Sequence, residues 1–478
     1  MTVIRGLSTE TLAGVDFFLH NCLKGSKKLG VRFSYTMANL KIEFTDKEIT
    51  AWGGIAILQK MMEKMSFGEV LKDARLPVQG SNRGYDPVQL IIQFIISIWC
   101  GASRYEHLEV TRFDGVIQQM FGWKSMAGHR AFVRYFQKFT MEDNAEVFSY
   151  LYKWFFNNLA FDNFTLDLDS SVVTRYGEQQ GAANGYNPKK PGRNSHHPLM
   201  AFIADVEMVA NFWLRSGDAH TANNFEAFLE QTLSNLQNKA IGLLRADTGF
   251  YSKKIFELLE NRTAPISYVI GCPMYVTIQR TLQSQKVWMQ LDDGIEIAQT
   301  QYQSPTWDKS RRLIMVRQKV SKRPKATGKV LRLFEDDEII NGYRHSCYIT
   351  NLSLPPAEIW RLYRNRATCE NRIKELKYDY ALDKINQQSF DATETTLNFI
   401  MIAFNLMSLF KQVVVKDKIR PTLKTIRYSC LGIGSYITKN GRDRILKMSL
   451  NIKRRSWITK LWENAGGIEP PFITILKE

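Results

Sequence analysis

Apolar and polar positions change rhythm several times along the chain, and each change predicts a different kind of structure. From Val31 to Phe44 the apolar residues alternate (Val31, Phe33 and Tyr35, then Leu40, Ile42 and Phe44), which predicts strands. Helical spacing follows. Gly53 to Met65 is apolar at helical intervals, Asp86-Pro87 opens a helix whose apolar run ends at Cys100, and Asp143 to Asn157 is a strongly aromatic helix. Between them, Ser125 to Phe139 predicts a basic amphipathic helix, with His129, Arg130, Arg134 and Lys138 beside Phe132, Tyr135 and Phe136. It is a candidate DNA-recognition helix, although a solvated basic face accounts for the pattern as well.

At Phe164 the period falls to two. Phe164, Leu166 and Leu168 take one face of a strand and Asp167 and Asp169 the other. A loop rich in Gly, Asn and Pro (Gly181 to Asn194) leads to two strand patterns, Leu199 to Val206 and Val209 to Ser216, then a helix, Asn223 to Gln237. A fourth strand, Ile241 to Ala246, runs straight into Asp247-Thr-Gly. Three antiparallel strands, a helix and a strand, with an acid on the first and last strands, open an RNase H-like α/β domain. Ile266 to Leu352 then alternates, with turns at Asp292-Asp-Gly and Asn341-Gly, and predicts an all-β insertion without a helix. A long helix is expected from Pro355 past Lys384 and an apolar one from Thr395 to Phe410. The fold class is therefore α/β: an RNase H-like core interrupted by an all-β insertion, with a helical N-terminal domain and a basic, mainly helical C-terminal region. The expected divisions are a mostly helical DNA-binding region (1–160), a first core part (161–262), the insertion (263–354), a second core part (355–412) and a DNA-binding or dimerisation region (413–478).

Composition narrows the function. Hydrophobic residues make up 44% and charged ones 23%, which excludes a disordered chain. The apolar run Val88 to Cys100 is shorter than the ~20 residues a bilayer span needs. The first twenty residues hold Glu10 and Asp16 and no signal pattern, so the expectation is a cytoplasmic protein with no membrane partner. Charge is more telling: 64 basic against 47 acidic residues leave +17, which favours a polyanionic partner. Ten basic residues and no acid lie between Lys309 and Arg332, among them Arg311, Arg312, Lys322, Arg323 and Lys325, a candidate phosphate-binding segment. The stretch Lys411 to Lys460 adds fourteen basic residues against two acidic ones. Six cysteines stand singly without C-x-x-C spacing, so neither a disulfide framework nor a zinc site is indicated.

Phosphodiester chemistry on such a partner calls for a hard divalent cation held by carboxylates. Asp169, mid-strand, and Asp247, at a strand end, are candidates. In the helix after Pro355, Tyr363, Arg366, Glu370 and Lys377 fall within about 60° of arc at ~100° per residue, a stripe of tyrosine, two cations and one carboxylate. Leu362, Cys369, Ile373, Leu376 and Tyr380 form the adjoining apolar face. An ordinary amphipathic helix with an Arg366–Glu370 pair fits the same spacing.

The spacing Tyr363-x2-Arg366-x3-Glu370-x6-Lys377 resembles the Y-R-E-K signature of bacterial cut-and-paste DDE transposases of the insertion-sequence four group. Three further segments resemble the insertion-sequence thirteen-eighty family: Leu166-Asp-Leu-Asp-Ser-Ser-Val-Val, Gly185-Tyr-Asn-Pro-Lys-Lys-Pro-Gly-Arg-Asn-Ser-His-His-Pro and Arg245-Ala-Asp-Thr-Gly-Phe-Tyr-Ser. The likeness covers Phe164 to Leu409. It implies a catalytic and metal-binding triad of Asp169, Asp247 and Glu370 holding two Mg²⁺ ions, with Mn²⁺ as substitute, and Tyr363, Arg366 and Lys377 gripping DNA. It also implies double-stranded DNA as partner (element ends and target), a homodimer in the DNA complex, and hairpin ends. Ser170-Ser171 and Thr248 depart from the family's usual small hydroxyl residues without touching a carboxylate. Asp167 shares the strand face of Asp169 and is the alternative first ligand. His196 and His197, adjacent on a strand, point to opposite faces and are expected to be structural or DNA-contacting rather than to share an ion. Two other readings stay open: a transposase-derived DNA-binding protein that no longer cuts, and an RNase H-like nuclease without strand transfer.

Overall fold

The computed structural model describes residues 41–80, 84–237, 239–319, 339–340, 342–417 and 420–475. The chain divides into a short unit, Met1–Lys47, and a large one, Glu48–Glu478. Of the strand pattern expected over Val31 to Phe44, residues 31–40 lie outside the described residues and 41–44 form no strand, with Ile42 and Phe44 exposed.

The large unit opens with helices α1 (Ile55–Lys64), α2 (Pro87–Trp99), α3 (His129–Phe136) and α4 (Met141–Asn157). Their starts follow local chemistry. The Asp86 side chain accepts from the Gln89 N–H with Pro87 in the first turn, and Thr140 and Asp143 form a reciprocal capping box on α4. α2 is a buried helix, as its apolar run predicts. α3 packs Phe132, Tyr135 and Phe136 inward and leaves Arg130 and Arg134 exposed.

The chain then enters a mixed sheet of ten strands among the described residues. In chain order come β1 (Phe164–Ser170), β2 (Leu199–Ile203), β3 (Met208–Trp213), α5 (Phe225–Leu236), β4 (Ile241–Ala246), α6 (Lys253–Glu260) and β5 (Tyr268–Cys272). There follow α7 (Val276–Ser284), β6 (Met289–Asp292), β7 (Ile295–Tyr302), β8 (Arg311–Lys319) and β9 (Tyr343–Thr350). Spatial order is β6-β7-β8-β9-β5-β4-β1-β2-β3, with Ile339–Ile340 paired to β9. β1, β4 and β5 are mutually parallel and their neighbours antiparallel. β2 is buried on both faces and its apolar residues run unbroken, whereas β1 alternates apolar residues with Thr165, Asp167 and Asp169.

One expectation fails here. The segment Ile266 to Leu352 is not helix-free, because α7 lies within it; its Val-Thr-Ile-Gln-Arg-Thr-Leu sequence is rich in β-branched residues, yet buries Ile278 and Leu282 at helical spacing. Its strand β5 pairs in parallel with β4, and the remaining strands extend the same sheet.

After β9 the expected single helix is two, α8 (Pro356–Arg364) and α9 (Ala367–Asp379), separated by a turn at Asn365 and Arg366. α9 stops before Lys384, at Tyr380, and Ala381 takes a left-handed conformation. α10 (Phe390–Leu409) is the central helix. By length and composition it and its continuation to Val415 are apolar enough to cross a membrane, but 89% of that window is buried inside the protein. Asn405 of α10 accepts from the Val209 N–H and donates to the Val209 carbonyl, both at 2.8 Å, so the helix satisfies part of the open edge of β3. The C-terminal region is less helical than expected: the hairpin β10 (Ser435–Asn440) and β11 (Asp443–Met448) precedes α11 (Ile452–Gly466). Cys100, Cys272, Cys347, Cys369 and Cys430 are free and buried.

Candidate active site

Parallel β-strands present their C-terminal ends to a common crevice, the usual binding edge of an open α/β sheet. Here β1 and β4 pair with Leu168 opposite Ala246, so the next residues, Asp169 and Asp247, leave neighbouring strands side by side. Each carboxylate is held by a local backbone donor, Asp169 by the Ser170 N–H at 2.8 Å and Asp247 by the Gly249 N–H at 3.0 Å. Burial pushes the Asp169 carboxyl up to about 7, against the pull of Arg366, and repulsion from Asp247 adds to the rise. Burial raises Asp247 as well, again opposed by Arg366.

The opposite wall comes from α8 and α9. The turn between them sets Arg366 inward, its guanidinium 3.0 Å from an Asp169 oxygen and 3.7 Å from Glu370. The Arg366 side chain is 7% exposed, while that of Glu370 is 56% exposed. Although Nη2 is close to Asp169, neither it nor Nε makes an aligned hydrogen bond, so the contact is one of charge alone. Tyr363 packs against Tyr348 with tilted rings whose centres are 4.3 Å apart, and burial holds its hydroxyl well above the usual tyrosine range. Gly271 of β5 has no side chain for a reason: a Cβ there would stand 3.0 Å from the Tyr363 hydroxyl and 3.1 Å from Thr248. Lys377 donates to the Val172 carbonyl at 3.0 Å, just beyond the end of β1. The stripe Tyr363, Arg366, Glu370 and Lys377 thus borders the two aspartates.

Asp167 has a different position. Fully buried, it receives two hydrogen bonds from Arg245 at 2.6 and 2.8 Å, and Arg245 also donates to the Leu362 carbonyl at 2.6 Å. Arg245 and Arg372, which lies 3.9 Å from Asp167, are the residues that sequence reasoning missed. The signal was present: Arg245 precedes Asp247 by two, as Asp167 precedes Asp169, so parallel pairing sets the two opposite each other.

His196 and His197 do not converge on one ion. His196 accepts from the Arg175 Nε at 3.0 Å, and its other ring nitrogen lies 3.0 Å from the Gln180 carbonyl. His197 lies 3.0 Å from the Ala219 carbonyl.

The basic segment is only partly in view, since Lys322, Arg323 and Lys325 lie outside the described residues. Arg311 is buried and bound twice to Glu260, at 2.8 and 2.9 Å, with Lys309 on the same carboxylate at 3.0 Å. Arg312 donates to the Leu352 and Leu354 carbonyls and to Gln299, and Arg317 pairs with Glu296. On β8 these cations are spent within the protein rather than offered to a phosphate.

Among the described residues no three Asp, Glu, His or Cys side chains come together closely enough to enclose an ion. The donor set nevertheless suits a hard divalent cation: two desolvated carboxylates on rigid strand ends, with Glu370 across Arg366, face a guanidinium that makes no aligned hydrogen bond to them.

A family model described as Transposase DDE domain group 1 matches residues 34–465. The chain belongs to that family. As a DDE transposase domain it carries its acidic and cationic residues at the crevice edge of its sheet. Comparison with curated proteins finds no match. Among solved structures, the chain resembles a piggyBac transposase synaptic complex with hairpin DNA at 9% identity, over 81% of this chain and 82% of that one, with a TM-score of 0.45. That likeness is one of outline.

Proposed function

We propose that this chain is the enzyme of a mobile element, cutting DNA at the element's ends and joining the freed 3′ ends to a target. In this reading β3-β2-β1-β4-β5 is an RNase H-like core, the strands β6 to β9 with α7 form its insertion, and the chain is akin to the insertion-sequence thirteen-eighty transposases. The observation that carries it is the side-by-side emergence of Asp169 and Asp247 from parallel strands, with Arg366 and Glu370 facing them.

Asp169, Asp247 and Glu370 would hold Mg²⁺, or Mn²⁺ in its place. A divalent ion so bound supplies Lewis acidity at phosphorus and eases deprotonation of the attacking oxygen. The chain's own groups do the rest. The Ser170 and Gly249 N–H groups orient the two aspartates, and Arg366, once drawn off Asp169, offers a planar fork to a DNA phosphate. Lys377 serves as a second phosphate contact and Tyr363 as a wall that orders the strand. Bending the 3′-hydroxyl toward the opposite strand, which yields a hairpin, relies on such positioning. A homodimer bridges the two ends, and the C-terminal region is its natural contact.

End-labelled DNA carrying the element's termini, incubated with Mg²⁺ and a target plasmid, tests this reading on a denaturing gel. Nicks, hairpins or double-strand breaks, and joined products are expected. Arg366→Ala and Lys377→Ala should accumulate nicks and lose later products. Cleavage without any joining would make the chain a nuclease, and no cleavage in Mg²⁺ or Mn²⁺ would reject the enzyme.

A further inference from the structure

The excursion between β1 and β2 leaves the strand that carries Asp169, and it is built rather than loose. Val173–Thr174, Ala183–Asn184 and Asn194–His196 form a small three-stranded sheet. Within it the buried Asn187 side chain donates to the Thr174 hydroxyl and accepts from the Lys190 N–H, each at 3.1 Å. Gly185 packs so tightly that a Cβ would stand 2.0 Å from the Gly217 carbonyl oxygen. The turn around Asn187 is therefore clamped from beneath.

What it presents outward is cationic and aromatic. Lys189, Lys190 and Arg193 are exposed, and none of them meets a carboxylate among the described residues. Glu178 is the only acid between Ser171 and His197 in the sequence. The Tyr176 hydroxyl accepts from the Lys190 ammonium, and the Arg193 guanidinium lies 6.0 Å from the same ring's centre. Tyr186 is 72% exposed and has no ring or cation contact among the described residues. Grouped cations without a facing carboxylate cost self-repulsion, and an exposed tyrosine ring leaves apolar area in water; a polyanion with free bases offers both a partner.

The patch adjoins the site. Asn187 is tied to Thr174, five residues after Asp169, and Lys189 is close enough to repel the Lys377 ammonium that the Val172 carbonyl holds. A duplex presents phosphates but keeps its bases stacked away, so it leaves Tyr186 without use. A single strand presents both.

We propose that this loop holds the unpaired strand of a cut DNA end, with phosphates on Lys189, Lys190 and Arg193 and one unstacked base on Tyr186. The proposal rests on the DNA-cutting reading of the neighbouring carboxylates. Its test compares the full chain with Lys189→Ala/Lys190→Ala/Arg193→Ala and with Tyr186→Ala, titrated across a salt series with labelled oligothymidine and with a blunt duplex of equal length. The triple variant should flatten the log–log salt slope for oligothymidine by about 2, at roughly 0.7 per phosphate, and barely change that for duplex. Tyr186→Ala should weaken oligothymidine binding at least about fivefold, and Tyr186→Trp should restore it. Unchanged melting temperatures would show that the variants fold. Equal losses on both DNA forms would make this a duplex surface and overturn the proposal, as would unchanged binding. A wild type that holds oligothymidine through this loop yet never cuts would uphold the loop and reject the catalytic reading. A cutting enzyme whose loop variants bind normally would do the reverse.

Discussion

Two clusters of carboxylate and guanidinium lie two residues apart on β1, and they differ in how their charges are held. In the inner one, Asp167 and Arg245 meet through two aligned hydrogen bonds and are both almost wholly buried. In the outer one, Arg366 sits close to Asp169 without an aligned bond, and the Asp169 carboxyl rises to about 7. The same residue types therefore serve opposite ends. A buried pair whose donors are satisfied has nothing left to offer a ligand, while a buried carboxylate with an unaligned counter-charge keeps its capacity for a cation.

Substitution separates the two most sharply. Asp169→Ala and Asp247→Ala should each lose more than about a thousandfold in strand cleavage while melting close to wild type. Asp167→Ala should instead lose roughly 3–5 kcal/mol of folding stability, because it strands the Arg245 charge inside the sheet. Denaturant unfolding beside a cleavage assay reads both effects. An Asp167→Ala chain that is stable but inert, next to an Asp169→Ala chain that cuts, would exchange the two roles.

The same accounting applies to the two basic segments, and it sharpens the comparison. The β8 cations were the more conspicuous in the sequence, yet Arg311 is closed onto Glu260 and stacked over Trp307 at 4.9 Å. The loop cations Lys189, Lys190 and Arg193 face outward. Arg311→Met should therefore cost roughly 2–3 kcal/mol of stability through the stranded Glu260, which keeps only Lys309 and Tyr268. It should leave the salt slope of DNA binding unaltered. A slope flattened by about 0.9 would return Arg311 to the phosphate-binding set.

What could be read from the chain, and what could not, follows from the range of the forces involved. The order of β1 to β4 and α5 was legible because periodicity is a local signal, and Asp247 stood out because its strand ends in Asp-Thr-Gly. The turn at Asn365 and Arg366 was not, since no Gly or Pro marks it; the pull of Arg366 toward Asp169 is a tertiary contact. α7 was hidden by its Val and Thr residues, whereas the β10–β11 hairpin does carry a turn signal, Asn440-Gly441 with Gly441 at positive φ, set among basic residues that drew the reading toward charge. Counting charge located cations but not their partners. Arg311 and Lys189 look alike in sequence, and only the position of Glu260 on α6 tells them apart.

A further, largely covered carboxylate, with no cation beside it among the described residues, gives the smallest effect and the cleanest control. Glu394 of α10 accepts from the Leu214 N–H at 3.0 Å just beyond β3, beside a cavity of about 310 Å³ that Trp213 and Gln231 also line. Burial pushes its carboxyl up to about 7 despite that hydrogen bond, and nearby Asp391 adds repulsion. Its proton is thus bound more tightly in the folded state than at the ordinary value of 4.5. The resulting stabilisation is complete below about pH 4.5 and is lost as pH rises through about 7. Glu394→Gln keeps an acceptor for the Leu214 N–H and removes the charge. The variant should match wild type near pH 4 and melt higher near pH 8, by roughly 1–2 kcal/mol. Thermal unfolding across that range decides it: parallel curves for the two proteins would mean that Glu394 is already solvated as an anion, and that burial without a cation is not what distinguishes it from Asp167.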